Sequence, residues 1–359
     1  MNSDRSIPLF KQYPDLEKSL PRLALGNYPT PVEKLQKLGK KRVWIKRDDA
    51  TSSIYGGNKV RKLEFILGDV LSKKKKKIVT MGGIGTNHGL ATAIFCKEIG
   101  IDCRLLLFHQ PVTENVKTNL RLFSHYRAKQ VYRKSLFATA LAYYTIERLY
   151  NPGAFFLFAG GSTPVGTAGF VNAVFELKSQ IDEGQMPEPQ SIVCPLGSGG
   201  TLAGITLGVA LAGLKSTVIG VRVTPDYLGP LQTCTIETVM NLVFTTHRFL
   251  KRLTPQIPDV NIQPPLIIDD YYGDGYGCTT PECMNAMYLM EDREHITLDP
   301  TYTSKTFAAV LDLCEGFTGS DQHMLYWHTY NSVDTTLLSQ TVHTEDVPSP
   351  LRSFLESGQ

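Results

Sequence analysis

The sequence lacks the patterns that mark several large classes of protein. Its seven cysteines contain no C-x-x-C pair, and no window approaches the run of about 20 apolar residues that crosses a bilayer. The formal net charge is only +3 over 359 residues, which is too small to indicate a nucleic-acid-binding surface. We therefore expect no bound metal, no contact with a membrane and no nucleic-acid partner.

The first 20 residues also lack the apolar segment of a secretory signal. They are polar and are interrupted by Pro8 and Pro14. The cysteines are scattered and odd in number, a pattern typical of reduced thiols rather than of a disulfide framework. We therefore expect a soluble cytoplasmic protein, and its hydrophobic content of 42% is ordinary for a globular chain.

The glycine-rich loop at residues 195–204 fails two familiar nucleotide-binding patterns. Leu202 stands where G-x-G-x-x-G requires its third glycine, and no Gly-Lys-Ser/Thr follows. The loop nevertheless follows an apolar strand and opens a helix, so its backbone amides and the helix dipole favour a single phosphate group. A glycine turn used only for tight packing is the alternative. The candidate phosphate cradle consists of Gly197, Ser198, Gly199, Gly200 and Thr201.

A second glycine turn precedes a lysine at the start of a predicted helix. Gly56-Gly57 allow a sharp bend, Asn58 is a favoured N-cap residue, and residues 60–71 carry apolar side chains at helical spacing. Lys59 is then expected in the first turn, where the helix dipole disfavours an ammonium. A neutral amine of this kind can bond covalently to a carbonyl group, whereas the alternative is a solvated surface lysine.

The pattern of elements indicates an α/β chain. Predicted strands and helices alternate from about residue 78 to residue 224, which predicts a parallel sheet with right-handed crossovers. Pro31 at the first position of a Thr30-capped segment predicts a short helix, and residues 296–299 predict a strand. After Tyr330 the sequence turns polar and rich in Ser and Thr, so we expect a loosely ordered tail.

The segment around Lys59 resembles a known family. Residues 46–65, KRDDATSSIYGGNKVRKLEF, resemble the cofactor-lysine segment of the D-cysteine desulfhydrase and 1-aminocyclopropane-1-carboxylate (ACC) deaminase family, and the resemblance runs from about Leu20 to His328. It implies that Lys59 carries pyridoxal 5'-phosphate, and it supports the phosphate cradle.

The resemblance also implies an architecture. The expected fold is the type II pyridoxal-phosphate fold, similar to the tryptophan synthase β chain, with an open parallel sheet and a second, smaller α/β domain. We expect a large domain from residues 1–60 and 163–359, a small domain from residues 61–162, and the cofactor between them. The family further suggests a homodimer.

The segment MGGIGTNHG at residues 81–89 resembles the family's Gly-Gly-Ile-x-Ser-Asn-Gln or Ser-Asn-His pattern. The resemblance implies that Thr86 binds the substrate carboxylate or assists proton transfer and that Asn87 bonds the cofactor's phenolic oxygen. It also implies that Asn87 and His88 help to bind the substrate. Thr86 departs from the usual serine, and its extra methyl group is expected to narrow the pocket.

The segment LDPTYTSK distinguishes the two activities of the family. By the resemblance, Tyr302 lies near the substrate and Thr303 faces the pyridine nitrogen, where ACC deaminases carry glutamate. A hydroxyl there is expected to donate a neutral hydrogen bond and to weaken the ring as an electron sink. By the same resemblance, we expect Tyr276 to be a second active-site tyrosine. Tyr330 and Asn331 replace the family's Gly-Gly pair, which leaves substrate identity and activity open.

The expected reaction is β-elimination from a small amino acid, with D-cysteine giving pyruvate, sulfide and ammonia. Lys59 would act as the general base, Thr86 would hold the carboxylate, and Tyr302 or Tyr276 would protonate the leaving group. One alternative is an ACC deaminase, which Thr303 disfavours. The other, from a different class, is a catalytically silent protein that only binds the cofactor.

Overall fold

The computed structural model describes residues 6–38, 42–228, 231–316 and 322–356. The chain divides into two compact units. The first comprises Met1–Phe65 and Ser162–Ser332, and the second comprises Ile66–Gly161 and Val333–Gln359. The chain passes from the first unit to the second after residue 65 and back after residue 161, within five residues of the expected boundaries. Residues from Val333 onward, however, group with the second unit, although they were expected in the large domain.

The described residues form strands in three sheets. In chain order the strands are β1 Val32–Lys34, β2 Val43–Arg47, β3 Lys77–Gly83, β4 Asp102–Phe108, β5 Lys129–Arg133, β6 Phe155–Phe156, β7 Ser191–Leu196, β8 Thr217–Arg222, β9 Tyr227–Leu228, β10 Leu231–Gln232, β11 Leu266–Ile268 and β12 Met324–His328.

Helices connect most of these strands. In chain order they are α1 Pro8–Gln12, α2 Leu16–Ser19, α3 Asn58–Ser72, α4 Asn87–Glu98, α5 Glu114–His125, α6 Leu136–Tyr144, α7 Ile146–Tyr150, α8 Pro164–Asp182, α9 Gly200–Ala212, α10 Ile236–Leu253, α11 Pro281–Leu289, α12 Thr303–Glu315, α13 Thr336–Gln340 and α14 Ser349–Glu356.

The main sheet of the first unit has the order β1-β2-β12-β7-β8-β11. All neighbours pair in parallel except β1, which runs antiparallel to β2. Alternate residues of β7 face opposite sides: Ile192 packs into the core that α8, α9 and α10 cover, and Val193 packs into the core that α12 covers. A parallel sheet buried on both faces accounts for the nearly continuous apolar sequence of its strands.

The parallel arrangement brings several loops to one edge of this sheet. The carboxyl ends of β2, β7 and β12 lead respectively into the glycine turn before Lys59, the loop that begins at Gly197, and Thr329. Since ligands of open α/β sheets bind at the carboxyl ends of the strands, this edge is where a site is expected.

A buried ion network holds α3 to this unit. The Arg61 guanidinium donates to Asp48 Oδ1 at 2.7 Å and to Glu176 Oε1 at 2.9 Å, while Lys46 Nζ donates to Glu176 Oε1 at 2.6 Å. All four side chains are buried. The network therefore joins α3, which carries Lys59, to β2, to the turn after it and to α8.

The second unit contains a four-stranded parallel sheet in the order β5-β4-β3-β6. Helix α4 packs against β3 and β4, and α13 and α14 pack against α5. Phe354 of α14 lies against the rings of His109 and Tyr132, with centroids 5.6 Å and 5.4 Å apart. The expectation of a loosely ordered tail is therefore wrong for residues 333–356. The packing of α13 and α14 on α5 and the ring contacts of Phe354 hold this segment to the second unit.

Two local expectations from the sequence are also wrong. Val32–Lys34 forms an edge strand instead of a short helix, with Val32 opposite Lys46 in the register of β1 and β2. A proline next to an edge strand loses no ladder hydrogen bond, so pairing with β2 overrides the helix signal of Pro31. Residues 296–299 form no strand, and Asp299 instead caps the start of α12.

Within the described ranges, every helix is too short or too polar to cross a membrane. The same ranges contain no group of three His, Cys, Asp or Glu side chains arranged to hold a metal ion.

Candidate active site

The turn before Lys59 can be built only from glycine. Gly57 has a φ of +90°, and a Cβ there would lie 2.8 Å from the carbonyl oxygen of Thr329. A Cβ on Gly56 would overlap the carbonyl oxygen of Asp49. The backbone N–H of Gly56 donates to Asn331 Oδ1 at 2.6 Å. Asn331, which stands where the family has a glycine, therefore holds this turn in place.

Lys59 occupies the first turn of α3, as the sequence predicts. Its amine donates to Asn58 Oδ1 at 2.8 Å. Burial lowers the pKa of Lys59 to about 8, and the nearby Asp299 carboxylate partly opposes that effect. The direction agrees with the neutral amine expected from the sequence, but the main cause is desolvation rather than the helix dipole.

The glycine loop after β7 has the geometry of an anion cradle. Gly199 has a φ of +81° and precedes α9, whose first residue is Gly200. The backbone N–H of Gly200 donates to Ser162 Oγ at 3.1 Å. Asn58 Nδ2 donates to Thr201 Oγ1 at 3.1 Å, so the Lys59 turn and the cradle are joined directly. A helix N-terminus with a left-handed glycine before it fits a phosphate group.

Lys62 is a residue of this cradle that the sequence reasoning missed. Its Nζ lies 2.9 Å from the position that a Cβ on Gly200 would occupy. Burial, and then the charge of Lys59, lower the pKa of Lys62 well below its ordinary value. A bound phosphate would favour the charged form of this buried amine, and the three-residue spacing from Lys59 on one helix was the available signal.

Tyr276 and Tyr302 form a pair in the first unit. Their hydroxyl oxygens lie 2.7 Å apart, and Tyr302 Cε1 lies 3.3 Å from the position of a Cβ on Gly197. Burial raises the pKa of both phenols. The pair therefore stays neutral at physiological pH and presents a proton next to the glycine loop.

Thr303 begins α12 directly after Tyr302, and it is buried. Its hydroxyl lies 2.6 Å from Asp299 Oδ2. Asp299 was not among the residues expected from the sequence, although Asp is a residue type whose side chain commonly accepts from backbone N–H groups two or three positions ahead in a turn, as Asp299 does. The contact shows that the Thr303 hydroxyl already has a charged partner.

The structure places Thr86, Asn87 and His88 in the second unit, at the start of α4. Asn87 Oδ1 accepts a hydrogen bond from Asn119 Nδ2 at 3.0 Å, which leaves the Asn87 amide group as a donor. His88 is buried, and its Nε2 lies 3.0 Å from Thr80 Oγ1. Asn119 is a further residue that the sequence reasoning missed.

Thr86 caps α4, with its Oγ1 accepting from the backbone N–H of Gly89 at 3.2 Å. The extra methyl group of Thr86 is accommodated by glycine, because a Cβ on Gly82 would lie 2.8 Å from Thr86 Cγ2 and a Cβ on Gly89 would also overlap it. The two glycines therefore make room for the threonine that stands where the family usually has serine.

Comparison with known proteins gives a family match over most of the chain. Residues 23–329 match the family model described as "Pyridoxal-phosphate dependent enzyme". A Pyrococcus horikoshii protein named "Putative 1-aminocyclopropane-1-carboxylate deaminase" is 33% identical over 322 residues, which cover 86% of this chain and 91% of that protein. The D-cysteine desulfhydrase of Serratia proteamaculans is 29% identical over 322 residues, with 86% and 93% covered.

Solved structures give the same result. A crystal structure described as that of the ACC deaminase homologue is 30% identical in sequence and has a TM-score of 0.76. The match covers 92% of this chain and 98% of the chain in that structure. The processed form of a threonine deaminase from Solanum lycopersicum is 14% identical with a TM-score of 0.61, covering 96% and 89%, and therefore shares the fold alone.

Proposed function

Because the chain belongs to the pyridoxal-phosphate dependent enzyme family, we propose that it is a lyase that eliminates the β-substituent of a small amino acid, with D-cysteine as the substrate. D-Cysteine and one water molecule then give pyruvate, hydrogen sulfide and ammonia. The observation that carries the proposal is the neutral Tyr276–Tyr302 pair beside the glycine loop, because an acid there can protonate the sulfur as it leaves and so give hydrogen sulfide.

The cofactor of the family is pyridoxal phosphate, and the fold is the expected type II fold with an open, largely parallel sheet and a second, smaller α/β unit. The residues present fit this cofactor. A phosphate can lie at the N-terminus of α9 beside Lys62, where the N–H of Gly200 would exchange its bond to Ser162 Oγ for one to the phosphate. The amine of Lys59 has a pKa of about 8.

Bound pyridoxal phosphate supplies a carbonyl that joins the substrate amine and a ring that delocalises the electrons left at Cα. In our proposal Lys59, as a neutral amine, takes the Cα proton, and Tyr302 with Tyr276 behind it delivers a proton to the leaving sulfur. Thr86 binds the substrate carboxylate with the help of His88, and Asn87 donates to the phenolic oxygen of the cofactor. Thr303 faces the ring nitrogen.

An ACC deaminase is the second candidate, and relatives of that name support it. Opening of a cyclopropane ring offers no leaving group to drain electrons from Cα, so it demands a strong electron sink. Thr303 stands where the resemblance gives ACC deaminases a glutamate, and this favours elimination. A protein that binds the cofactor without turnover is the third candidate, because Tyr330 replaces a glycine.

Pyruvate formation from a panel of amino acids tests the choice. We expect D-cysteine, or a close analogue with a β leaving group, to give pyruvate faster than ACC does, with L-cysteine as the stereochemical control. ACC turnover at a rate equal to or above that of D-cysteine would replace the first candidate by the second. Visible absorbance of the bound cofactor without pyruvate from any member of the panel would support the third.

The phosphate cradle is tested by Gly199→Asp, with Gly213→Asp as a matched control. Both glycines flank α9 with positive φ, +81° and +68°, so both variants carry similar backbone strain. Only Gly199→Asp places a carboxylate among the cradle amides, where it repels a phosphate. We expect its cofactor affinity to fall by at least about tenfold, which corresponds to about 1.4 kcal/mol, while Gly213→Asp binds like the wild type.

Titration of cofactor-free protein with pyridoxal phosphate, followed by absorbance, measures both affinities. Equal affinities of the two variants would show that the phosphate lies elsewhere. Equal losses in melting temperature are expected, because both variants strain the backbone similarly, and they do not test the cradle.

A homodimer in the cytoplasm is the remaining part of the proposal. The segment of α6 and α7 supports the dimer, because several large apolar side chains on it are exposed and apolar patches of this kind often form interfaces. These side chains are Phe137, Leu141, Tyr144, Leu149 and Tyr150.

A further inference from the structure

We propose that Lys305 is a positioning residue for the Tyr276–Tyr302 pair, because its buried amine holds the loop that carries Tyr276. The loop comprises residues 272–280, an irregular segment that directly precedes α11. This inference rests on the proposed function, in which Tyr302, with Tyr276 behind it, delivers a proton to the leaving sulfur. Lys305 acts on that proton transfer through the loop and not by contact with the substrate.

The first step of the argument is the conformation of the loop on either side of Tyr276. Gly275 before it has a φ of +153°, and Gly277 after it has a φ of +82°. Both values lie in the region that glycine adopts easily and other residues rarely do. Glycine also loses more conformational freedom on folding than any other residue, so a fixed position for Tyr276 requires contacts from outside the loop.

The second step is the contact that Lys305 makes with this loop. Lys305 is the third residue of α12 and is fully buried. Its Nζ donates to the carbonyl oxygen of Tyr272 and, at 3.1 Å, to that of Gly275. Nζ also lies 5.2 Å from the centroid of the Tyr272 ring. The two carbonyl oxygens replace water around the buried amine, so movement of the loop away from Lys305 would leave that amine unsatisfied.

The third step is the peptide unit that Lys305 fixes. The carbonyl of Gly275 and the N–H of Tyr276 belong to one planar peptide group. The carbonyl oxygen accepts from Lys305 Nζ and also from the backbone N–H of Cys278 at 3.2 Å, so both of its lone pairs are used. Because the plane of this group is held by two donors, the position of the Tyr276 Cα atom at its end is held as well.

The fourth step is that one turn of helix supports both tyrosines. Tyr302 stands directly before α12, and Lys305 follows it by three positions, a spacing that brings side chains to the same face of a helix. Tyr302 Oη lies 2.7 Å from Tyr276 Oη, while Lys305 Nζ bonds the carbonyl just before Tyr276. The loop is therefore attached to the start of α12 at two neighbouring points. Loss of the Lys305 bonds removes one of them and lets Tyr276 move out of reach of Tyr302.

Two substrates with different leaving groups test this role in the holoenzyme. When the Cβ–S bond of D-cysteine breaks, its electron pair stays on sulfur and a proton from Tyr302 gives hydrogen sulfide, whereas chloride leaves β-chloro-D-alanine without a proton. We expect Lys305→Met to lower kcat/KM by about tenfold or more for D-cysteine and by about threefold or less for β-chloro-D-alanine, a partial loss of the roughly 10²–10⁴-fold that a positioned acid contributes. Tyr276→Phe should shift the ratio of the two substrates in the same direction, and adding Lys305→Met to it should shift the ratio no further.

Hydrogen exchange of the cofactor-free protein gives a second measurement that does not depend on activity. The backbone amides of residues 273–280 should exchange at least about tenfold faster in Lys305→Met than in the wild type, because the loop opens locally. Val310→Ala is the control, since it removes buried methyl groups from the same helix and keeps both bonds to the loop. It should change neither the exchange of residues 273–280 nor the ratio of the two substrates.

The two measurements separate a failure of the inference from a failure of the proposed function. Wild-type exchange of the loop in Lys305→Met overturns the inference alone, and so does an unchanged substrate ratio beside a ratio that Tyr276→Phe does shift. If Tyr276→Phe leaves the ratio unchanged, the proposed acid role of the pair is wrong, and the inference falls with it. If Lys305→Met does not fold, Lys305→Gln, whose side chain is one atom shorter, replaces it, and the same results count against the inference.

Discussion

Replacement of Lys59 by alanine is expected to leave a folded protein without covalently held cofactor and with activity reduced by at least about a thousandfold, within the range for loss of a general base together with a covalent anchor. The reason is the position of the amine. Lys59 lies directly after a turn that only glycine can form, next to a cradle that its neighbour Asn58 contacts.

Three measurements check this expectation. Dialysis should remove the cofactor from Lys59→Ala and not from the wild type, pyruvate formation should stop, and borohydride reduction of the wild type should attach the cofactor to the peptide that contains Lys59. Lys178→Ala, which removes a partly exposed lysine on α8, is the control and should behave like the wild type. A reduced peptide that maps to another lysine would remove Lys59 from its proposed role.

The pH dependence of cofactor capture belongs to the same prediction. A pKa of about 8 makes about a tenth of the Lys59 amine neutral at pH 7, whereas an ordinary lysine of pKa 10.5 has about one part in 3,000 neutral. The rate at which cofactor-free protein captures pyridoxal phosphate should therefore rise up to about pH 8 and then level off. A rate that still rises tenfold per pH unit at pH 9 would show that the lysine is not perturbed.

Much of the fold follows from the sequence because its signals are local. Alternation of apolar strands with helices predicts a parallel sheet, and a parallel sheet brings the loops after β2, β7 and β12 to one edge. The glycine turn before Lys59 and the cradle after β7 were both predicted as loops in front of helices. The structure adds the contact between them, through Asn58 and Thr201.

The residues that sequence reasoning missed owe their environment to distant parts of the chain. Glu176 lies 115 positions after Arg61, so no local spacing signals their contact. Lys62 could have been found from its spacing to Lys59, but its approach to Gly200 depends on the packing of α3 against α9. Burial of Phe354 against His109 likewise depends on tertiary packing, and a polar sequence after residue 330 did not reveal it.

Loss of the Arg61 guanidinium is expected to cause the largest drop in stability of any single substitution proposed for this chain. Arg61→Met should lower the free energy of unfolding by about 3–5 kcal/mol, because it leaves the buried carboxylates of Asp48 and Glu176 without their shared cation. Lys178→Met, which breaks the exposed Lys178–Asp182 pair on α8, is the matched control and should change stability by about 0.5 kcal/mol or less.

Acid titration gives an independent view of the same network. Burial alone would raise the pKa of Glu176, but Arg61 and Lys46 hold it at about 2, below the ordinary value of 4.5. A depressed carboxyl pKa contributes stability that is complete above pH 4.5 and is lost as the pH falls toward 2. Glu176→Gln should remove part of that loss, so its stability should vary less with pH between 4.5 and 2 than that of the wild type.

Urea unfolding of the cofactor-free proteins measures these quantities, and Glu176→Gln also provides a variant to study if Arg61→Met does not fold. A decrease below about 1 kcal/mol for Arg61→Met would mean that the guanidinium is dispensable, as it would be for a solvent-screened surface pair. The expected result would show instead that the helix carrying Lys59 is fixed by buried charge, since Arg61 stands two residues after that lysine. Cofactor affinity should then fall in Arg61→Met together with stability and should not fall in Lys178→Met.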